Sequence, residues 1–305
     1  MTRFAVALSL FLFAGFLTAT PARAMMDDKD VARLTSFGGV CGKCDLSGRR
    51  LMNARFAGAN FAGASLVNAD LRGASFMGSN FQGARLMNAD LRGAEIMASD
   101  FTSANFANAQ MDGVEAPGTS FIRAIFTSVS ARGAEMPGAN LSFANLSSAR
   151  FTGADMPGAR LLHVDGRSAD FSNAGLHGAI LTAGRFDRAS FRGADLDRAT
   201  LSGSSFNGAD FRGASMSRTT ISGADLSGAK GLDQDQLDEA CGDDKTRLPA
   251  GLKVNVCRGN RVVVIRTSPP SEPAPPRPPK APAAPPAAPK APKAPTPRMI
   301  VANGH

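Results

Sequence analysis

Apolar residues recur along this chain with a period of five. From Leu46 to Leu226 every fifth residue is Leu, Phe, Met or Ile except at Ala116, Ala131 and Gly166, and the register never slips. Two residues before each of these centres except Leu51, which follows Arg49, stands a small or short residue, mostly Ala, with Ser79, Ser99, Val114, Thr119, Val129, Val164, Gly184, Ser204 and Thr219 among the exceptions. Two residues after each centre Gly and Asn dominate, as turn positions with positive φ demand. A period of five fits neither the 3.6 of a helix nor the 2 of a strand, so the pattern marks a repeat architecture.

Stretches such as NADLRGASF, GANFAGASL, SANFANAQM and GADLSGAK resemble the A-(D/N)-L-x-x signature of the pentapeptide-repeat family, over about 180 residues. The resemblance implies an all-β fold, a right-handed quadrilateral parallel β-helix. Five residues make one side, the large centre and the small residue point inward, and four sides complete a turn.

A turn of twenty residues should stack residues twenty apart in columns. One column reads Phe61, Phe81, Phe101, Phe121, then Leu141, Leu161, Leu181, Leu201 and Ile221. The opposite column reads Leu51, Leu71, Leu91, Met111, Ala131, then Phe151, Phe171, Phe191 and Phe211, so the two exchange size halfway. Across both pairs of facing columns no facing pair holds two Phe, which is what a shaft of fixed width requires. Outside, Asn68, Asn88 and Asn108 give way to Ser128, Ser148 and Ser168 with the same spacing. About nine coils at strand spacing give a rod of about 43 Å. Each coil bonds only its neighbours, so the ends need caps.

The flanks read differently. Residues 1–24 have the form of a secretory signal, with Arg3, the apolar run Phe4 to Ala19 and the A-x-A site Ala22-Arg23-Ala24, cut after Ala24. The predicted organisation is then an N-terminal segment and cap over 25–45, the repeats over 46–230, a C-terminal cap over 231–265 and a tail over 266–305. The cap segment GLDQDQLDEACGDDKTRLPAGLKVNVC resembles the C-terminal cap of bacterial members of the family. Asp233 with Gln236 makes a capping box that starts a short helix running to about Ala240. The tail is Pro, Ala and Lys, which builds no core and reads as polyproline II or disordered chain.

The formal charge of +8 points first to nucleic acid. Removing residues 1–24 and the basic tail leaves 26 basic and 25 acidic side chains, a neutral body. The tail is either a solubilising tether or a basic arm that touches anionic envelope polymers. No specific nucleic-acid partner and no membrane span beyond the signal are expected.

Four cysteines remain to be placed. Cys241 and Cys257 suit a disulfide in an oxidising compartment, contributing about 3 kcal/mol through the loop they close. Cys41 and Cys44 form a C-x-x-C at inward positions of the register. They read as buried small side chains or a disulfide closing the first coil, with a redox dithiol or half a zinc site as the alternative. The histidines His163 and His177 fall on outward positions of different sides, and no motif sets a histidine beside an activated nucleophile. No catalytic residue, cofactor or metal is expected.

One side is distinctive. Before its centres come Glu95, Glu115, Glu135 and Asp155, and after them Met77, Met97, Pro117, Pro137 and Pro157. Stacked like charges cost stability, so this side is the candidate partner-binding face, with the apolar stripe as its dry part; the alternative is drift through the duplicated units GAEMPGA and GADMPGA. The neighbouring side alternates Asp70, Asp90 and Asp170 with Arg72, Arg92, Arg132, Arg192 and Arg212 and reads as a solvated ion-pair face. The expected function is a non-enzymatic protein-interaction module of the bacterial periplasm or cell exterior, its partner a protein of unknown identity. The resemblance also brings in duplex-DNA mimicry against an enzyme such as gyrase, which a neutral, exported body disfavours. A thiol redox or metal protein using Cys41 and Cys44 is the third reading.

Overall fold

One five-residue turn, used repeatedly, makes every side of the coil. In the turn opened by Phe61, the Ala64 N–H donates to the Phe61 carbonyl at 2.9 Å and Gly63 has φ 66°, the pattern of a type II turn. The computed structural model describes residues 39–257 and the backbone of Val262–Val263. The signal-like segment and the Pro-rich tail lie outside the described residues. Every fifth residue from 43 to 223 has positive φ, glycine or not. At Phe143 (φ 62°) and His163 (φ 54°) bulky side chains are held in this region, which costs free energy that the surrounding ladder must offset.

Between turns a single residue remains for pairing. Asn60 bridges Asn80, Ser65 bridges Arg85, and the parallel series advances twenty residues at a time to Asp210 and Lys230. The Phe61 N–H donates to the Asn80 carbonyl at 2.7 Å, Gly63 N–H to the Gln82 carbonyl at 2.8 Å, and Asn80 N–H to the Ala59 carbonyl at 2.9 Å. These bonds satisfy the backbone between coils. Because a turn interrupts the chain every five residues, the ladder consists of isolated parallel bridges where a longer run would form strands.

The centres fill the shaft. Phe61, Phe81 and Phe101 stack face to face at 4.8 and 4.6 Å, and Phe56 stacks on Phe76 at 4.9 Å. Rings on adjacent sides meet edge to face, as Phe56 does with Phe61 at 5.2 Å, both arrangements being favourable for aromatic pairs. The Phe–Phe ring contacts among the described residues join stacked or adjacent centres and none crosses between facing columns.

The exceptions to the pattern have physical reasons. A Cβ on Gly166 would lie 2.6 Å from Phe186 Cδ1, and one on Gly184 would lie 2.4 Å from Phe186 Cε2. One ring from the next coil thus fills the space that two positions vacate. The buried hydroxyls at small positions each donate to a carbonyl twenty-three residues earlier, Thr119 to Ile96 at 2.7 Å and Thr219 to Leu196 at 2.7 Å. Ser79, Ser99 and Ser204 do the same to Phe56, Phe76 and Leu181. No buried side-chain polar atom among the described residues lacks a partner, so the burial of these hydroxyls carries no desolvation penalty of an orphaned group.

At the C-terminal end the polypeptide leaves the repeat and covers it. Helix α1 (Gln234–Asp238) opens on Asp233 with a complete capping box to Gln236 and is followed by β1 (Cys241–Gly242), β2 (Val254–Val256) and β3 (Val262–Val263). The helix ends two residues before the predicted Ala240 because Glu239 already forms its C-cap. β1 pairs parallel with β2, and β2 pairs antiparallel with β3. Thr220 bridges Cys241 and Asp225 bridges Arg247, so the cap continues the ladder. Leu237, Ala240, Leu248 and Val254 extend the same apolar core. The Gln236 amide donates to the Phe211 and Ala214 carbonyls at 3.0 and 2.7 Å, closing an edge that would otherwise template further pairing.

Disulfides join Cys41 to Cys44 and Cys241 to Cys257, and no described cysteine is free. Cys41 is buried while Cys44 is only half-buried against the core. A redox dithiol reading of this pair has no free thiolate to use in this state.

Candidate protein-interaction face

The ladder sets the geometry of the acidic side. Glu95 bridges Glu115, Glu115 bridges Glu135 and Glu135 bridges Asp155, each directly in parallel register. All four side chains are exposed. None of the ion pairs among the described residues includes any of the four. At strand spacing their carboxylates repel one another through solvent.

Met77, Met97, Pro117, Pro137 and Pro157 stand beside them, with Met77 50% and Met97 37% exposed. The prolines occupy the second position of their turns, where a fixed φ near −65° is already what the type II turn needs. This local role accounts for their tolerance but does not require a contiguous apolar stripe. The corners on both flanks are low. A Cβ built on Gly93, Gly113, Gly133, Gly118, Gly138 or Gly158 would meet nothing within 4 Å. These glycine corners leave the flanks of the face open to an approaching surface.

The neighbouring side carries acids with the same spacing and different companions. Arg72 binds Asp70 through Nη2 at 2.7 Å and reaches Asp90 with Nε at 3.7 Å, while Arg92 binds Asp90 at 2.6 Å. The hydrogen bonds from Arg72 and Arg92 hold the Asp70 and Asp90 carboxyls below their ordinary range. Arg212 does the same to Asp210, lowering it to about 2. Of the other residues read as belonging to this face, Asp170 is bound by Thr152 and Ser172, and Arg192 lies 4.0 Å from Asp210. Arg132 donates its backbone N–H to Asp112.

Two exposed arrangements escape a reading confined to five-residue units. The Phe143 ring, 52% exposed, stacks on His163 at 4.9 Å with the Arg123 guanidinium 5.7 Å from its centroid. His177 meets Asp195 and Asp197. The signal that could have found both is a separation close to twenty, which sets residues of successive coils side by side.

These features define a solenoid that carries its variety on outward columns over an invariant frame. Pentapeptide repeats match in eight copies over residues 54–93, 99–142, 144–182 and 194–230. The chain belongs to the pentapeptide-repeat family, whose fold is the right-handed quadrilateral β-helix. Solved structures similar to it include HetL, involved in heterocyst differentiation regulation in the cyanobacterium Nostoc. That match has 21% identity and a TM-score of 0.32, covering 74% of this chain and 98% of HetL. A trypsin-treated QnrB1, a plasmid-mediated fluoroquinolone resistance protein, matches at 20% identity and a TM-score of 0.29, covering 65% of this chain and 91% of its own. Rfr23 from a Cyanothece cyanobacterium matches at 22% identity and a TM-score of 0.29, covering 39% of this chain and 90% of its own. A comparison with curated proteins finds no match. No helix among the described residues is long and apolar enough to cross a membrane.

Proposed function

We propose that this chain is a non-enzymatic protein-interaction module of the bacterial periplasm or cell exterior that docks a basic partner protein on its acidic Met/Pro face. The observation that carries the reading is the in-register stack of Glu95, Glu115, Glu135 and Asp155, none of which pairs with a cation among the described residues. A partner presenting Lys or Arg relieves that repulsion on binding, and Met and Pro supply the apolar area that excludes water from the contact. The signal-like segment ending at Ala24 and the two cystine pairs support an oxidising compartment. The basic tail serves as a solubilising tether, the alternative being an arm that touches anionic envelope polymers.

Duplex mimicry would call for acids distributed over more than one side. Here the adjacent side neutralises its own aspartates with arginine, which favours a one-sided docking surface.

Affinity capture from an envelope fraction tests the proposal. The wild-type chain retains a partner that Glu115→Lys with Glu135→Lys fails to retain, while the variant melts no lower than the wild type. Equal capture by the two proteins removes the acidic face as the docking site. Sequencing of the exported protein from Met25 checks the predicted cut, and retention of residues 1–24 overturns it.

A further inference from the structure

We propose that His177, Asp195 and Asp197 form a site for a divalent metal ion of zinc-like chemistry that ties two successive coils together. The imidazole comes from one coil and both carboxylates from the next. Gly175 bridges Asp195 in the parallel ladder, and Gly178 N–H donates to the Asp197 carbonyl at 2.8 Å. The three side chains therefore rise from backbone whose spacing is already set, the condition under which a site needs little reorganisation.

Their ligand atoms lie within 4.8 Å of one another. Neither carboxylate makes an ion pair or hydrogen bond with His177 among the described residues. Metal bonds of about 2.0–2.2 Å at tetrahedral angles bring ligand atoms to roughly 3.4 Å. The closure required is small, and the exposed His177 side chain supplies it by rotation.

The carboxylates are oriented from behind. Asp197 Oδ1 accepts from the Ser217 N–H at 2.9 Å and from the Ser215 hydroxyl. Asp195 Oδ1 accepts from the Asp197 N–H at 2.9 Å. Each carboxylate keeps a second oxygen available, and supporting bonds of this kind hold ligating carboxylates in place.

Two outward columns change character together at this point. The column Glu95, Glu115, Glu135, Asp155 is broken by Gly175 and resumes with Asp195, while the Met/Pro column turns to His177 and Asp197. Gly175 carries no side chain, and the Asp155 carboxylate takes up the room a Cβ there would need, with Oδ1 2.8 Å from where it would stand. One imidazole with two carboxylates selects a borderline ion such as zinc over calcium or magnesium, which prefer all-oxygen sites. Three protein ligands leave coordination positions for water or a donor from outside the chain. The site does not rest on the docking role of the neighbouring acids.

Equilibrium dialysis of the purified full chain against zinc chloride, beside calcium and magnesium chloride, tests it. The wild type should take up one equivalent of zinc that His177→Ala weakens by at least about tenfold. The same equivalent should raise the melting temperature of the wild type and not of the variant, since it links two coils. Because His177 is exposed, the metal-free proteins should melt together, which separates loss of a ligand from loss of fold. Asp197→Asn supplies the second ligand test. Absence of zinc uptake, uptake unchanged by His177→Ala, or magnesium bound as tightly as zinc would each overturn the assignment.

Discussion

Two adjacent sides of the coil stack acids in the same register and treat them oppositely. Asp70 lies directly below Asp90 just as Glu115 lies below Glu135. Two residues after Asp70 and Asp90 come Arg72 and Arg92, which bind them at 2.7 and 2.6 Å. Two residues after Glu115 and Glu135 come Pro117 and Pro137, which cannot. The backbone is the same on both sides, so the difference between a self-neutralised wall and an unsatisfied one is decided at one outward position per turn. The fold sets where charges stand, and the identity of the companion decides whether they are neutralised within their own side.

Both walls depend on the shaft between them, and the largest effect is expected there. Phe101 sits between Phe81 and Phe121 in an aromatic stack at 4.6 and 5.6 Å. Phe101→Ala should lower unfolding stability by about 3–5 kcal/mol in chemical denaturation. A loss below about 1 kcal/mol would mean that the columns do not pack as a common frame.

Acid separates the walls next. Asp210 titrates at about 2 in the folded chain against an ordinary 3.8 because Arg212 hydrogen-bonds to it. A carboxyl lowered by folding contributes stability that is complete above its unfolded value and is lost as pH falls through its folded value. The wild type should therefore lose this contribution between about pH 4 and pH 2. Asp210→Asn should be less stable than the wild type at neutral pH and converge with it below that window. Parallel profiles for the two proteins would show that the arginine pairing does not matter in solution.

The smallest effect is expected on the unpaired wall. Glu115→Gln removes a charge flanked by Glu95 and Glu135 and should raise stability by a few tenths of a kcal/mol, about the lower range for cross-strand pairs. The gain should shrink in about 1 M salt, where the screening length is roughly 3 Å. A loss of stability at low salt would indicate that Glu115 is held by an attraction, and the contrast between the walls would fail.

Much of this architecture was legible in the sequence. Phe61, Phe81 and Phe101 repeat at twenty because each lap returns to the same corner of a shaft of fixed width, and the structure stacks them. Asp233 and Gln236 announced the cap helix because the capping box is a local hydrogen-bond exchange that needs no distant partner. Pairing of Asp70 with Arg72 was likewise readable, both residues belonging to one side.

Amino-acid order by itself determined the length of the lap, which residues turn inward and which column each outward residue joins, because a strict period leaves the backbone a single register that buries every centre. Tertiary structure alone decided what happens between columns. It placed the Phe186 ring in the space of Gly166 and Gly184, seated Phe143 on His163, and brought His177 to Asp195 and Asp197. Those outcomes depend on side-chain direction and on the width left by neighbours about twenty residues away, quantities that a repeating unit of five does not contain.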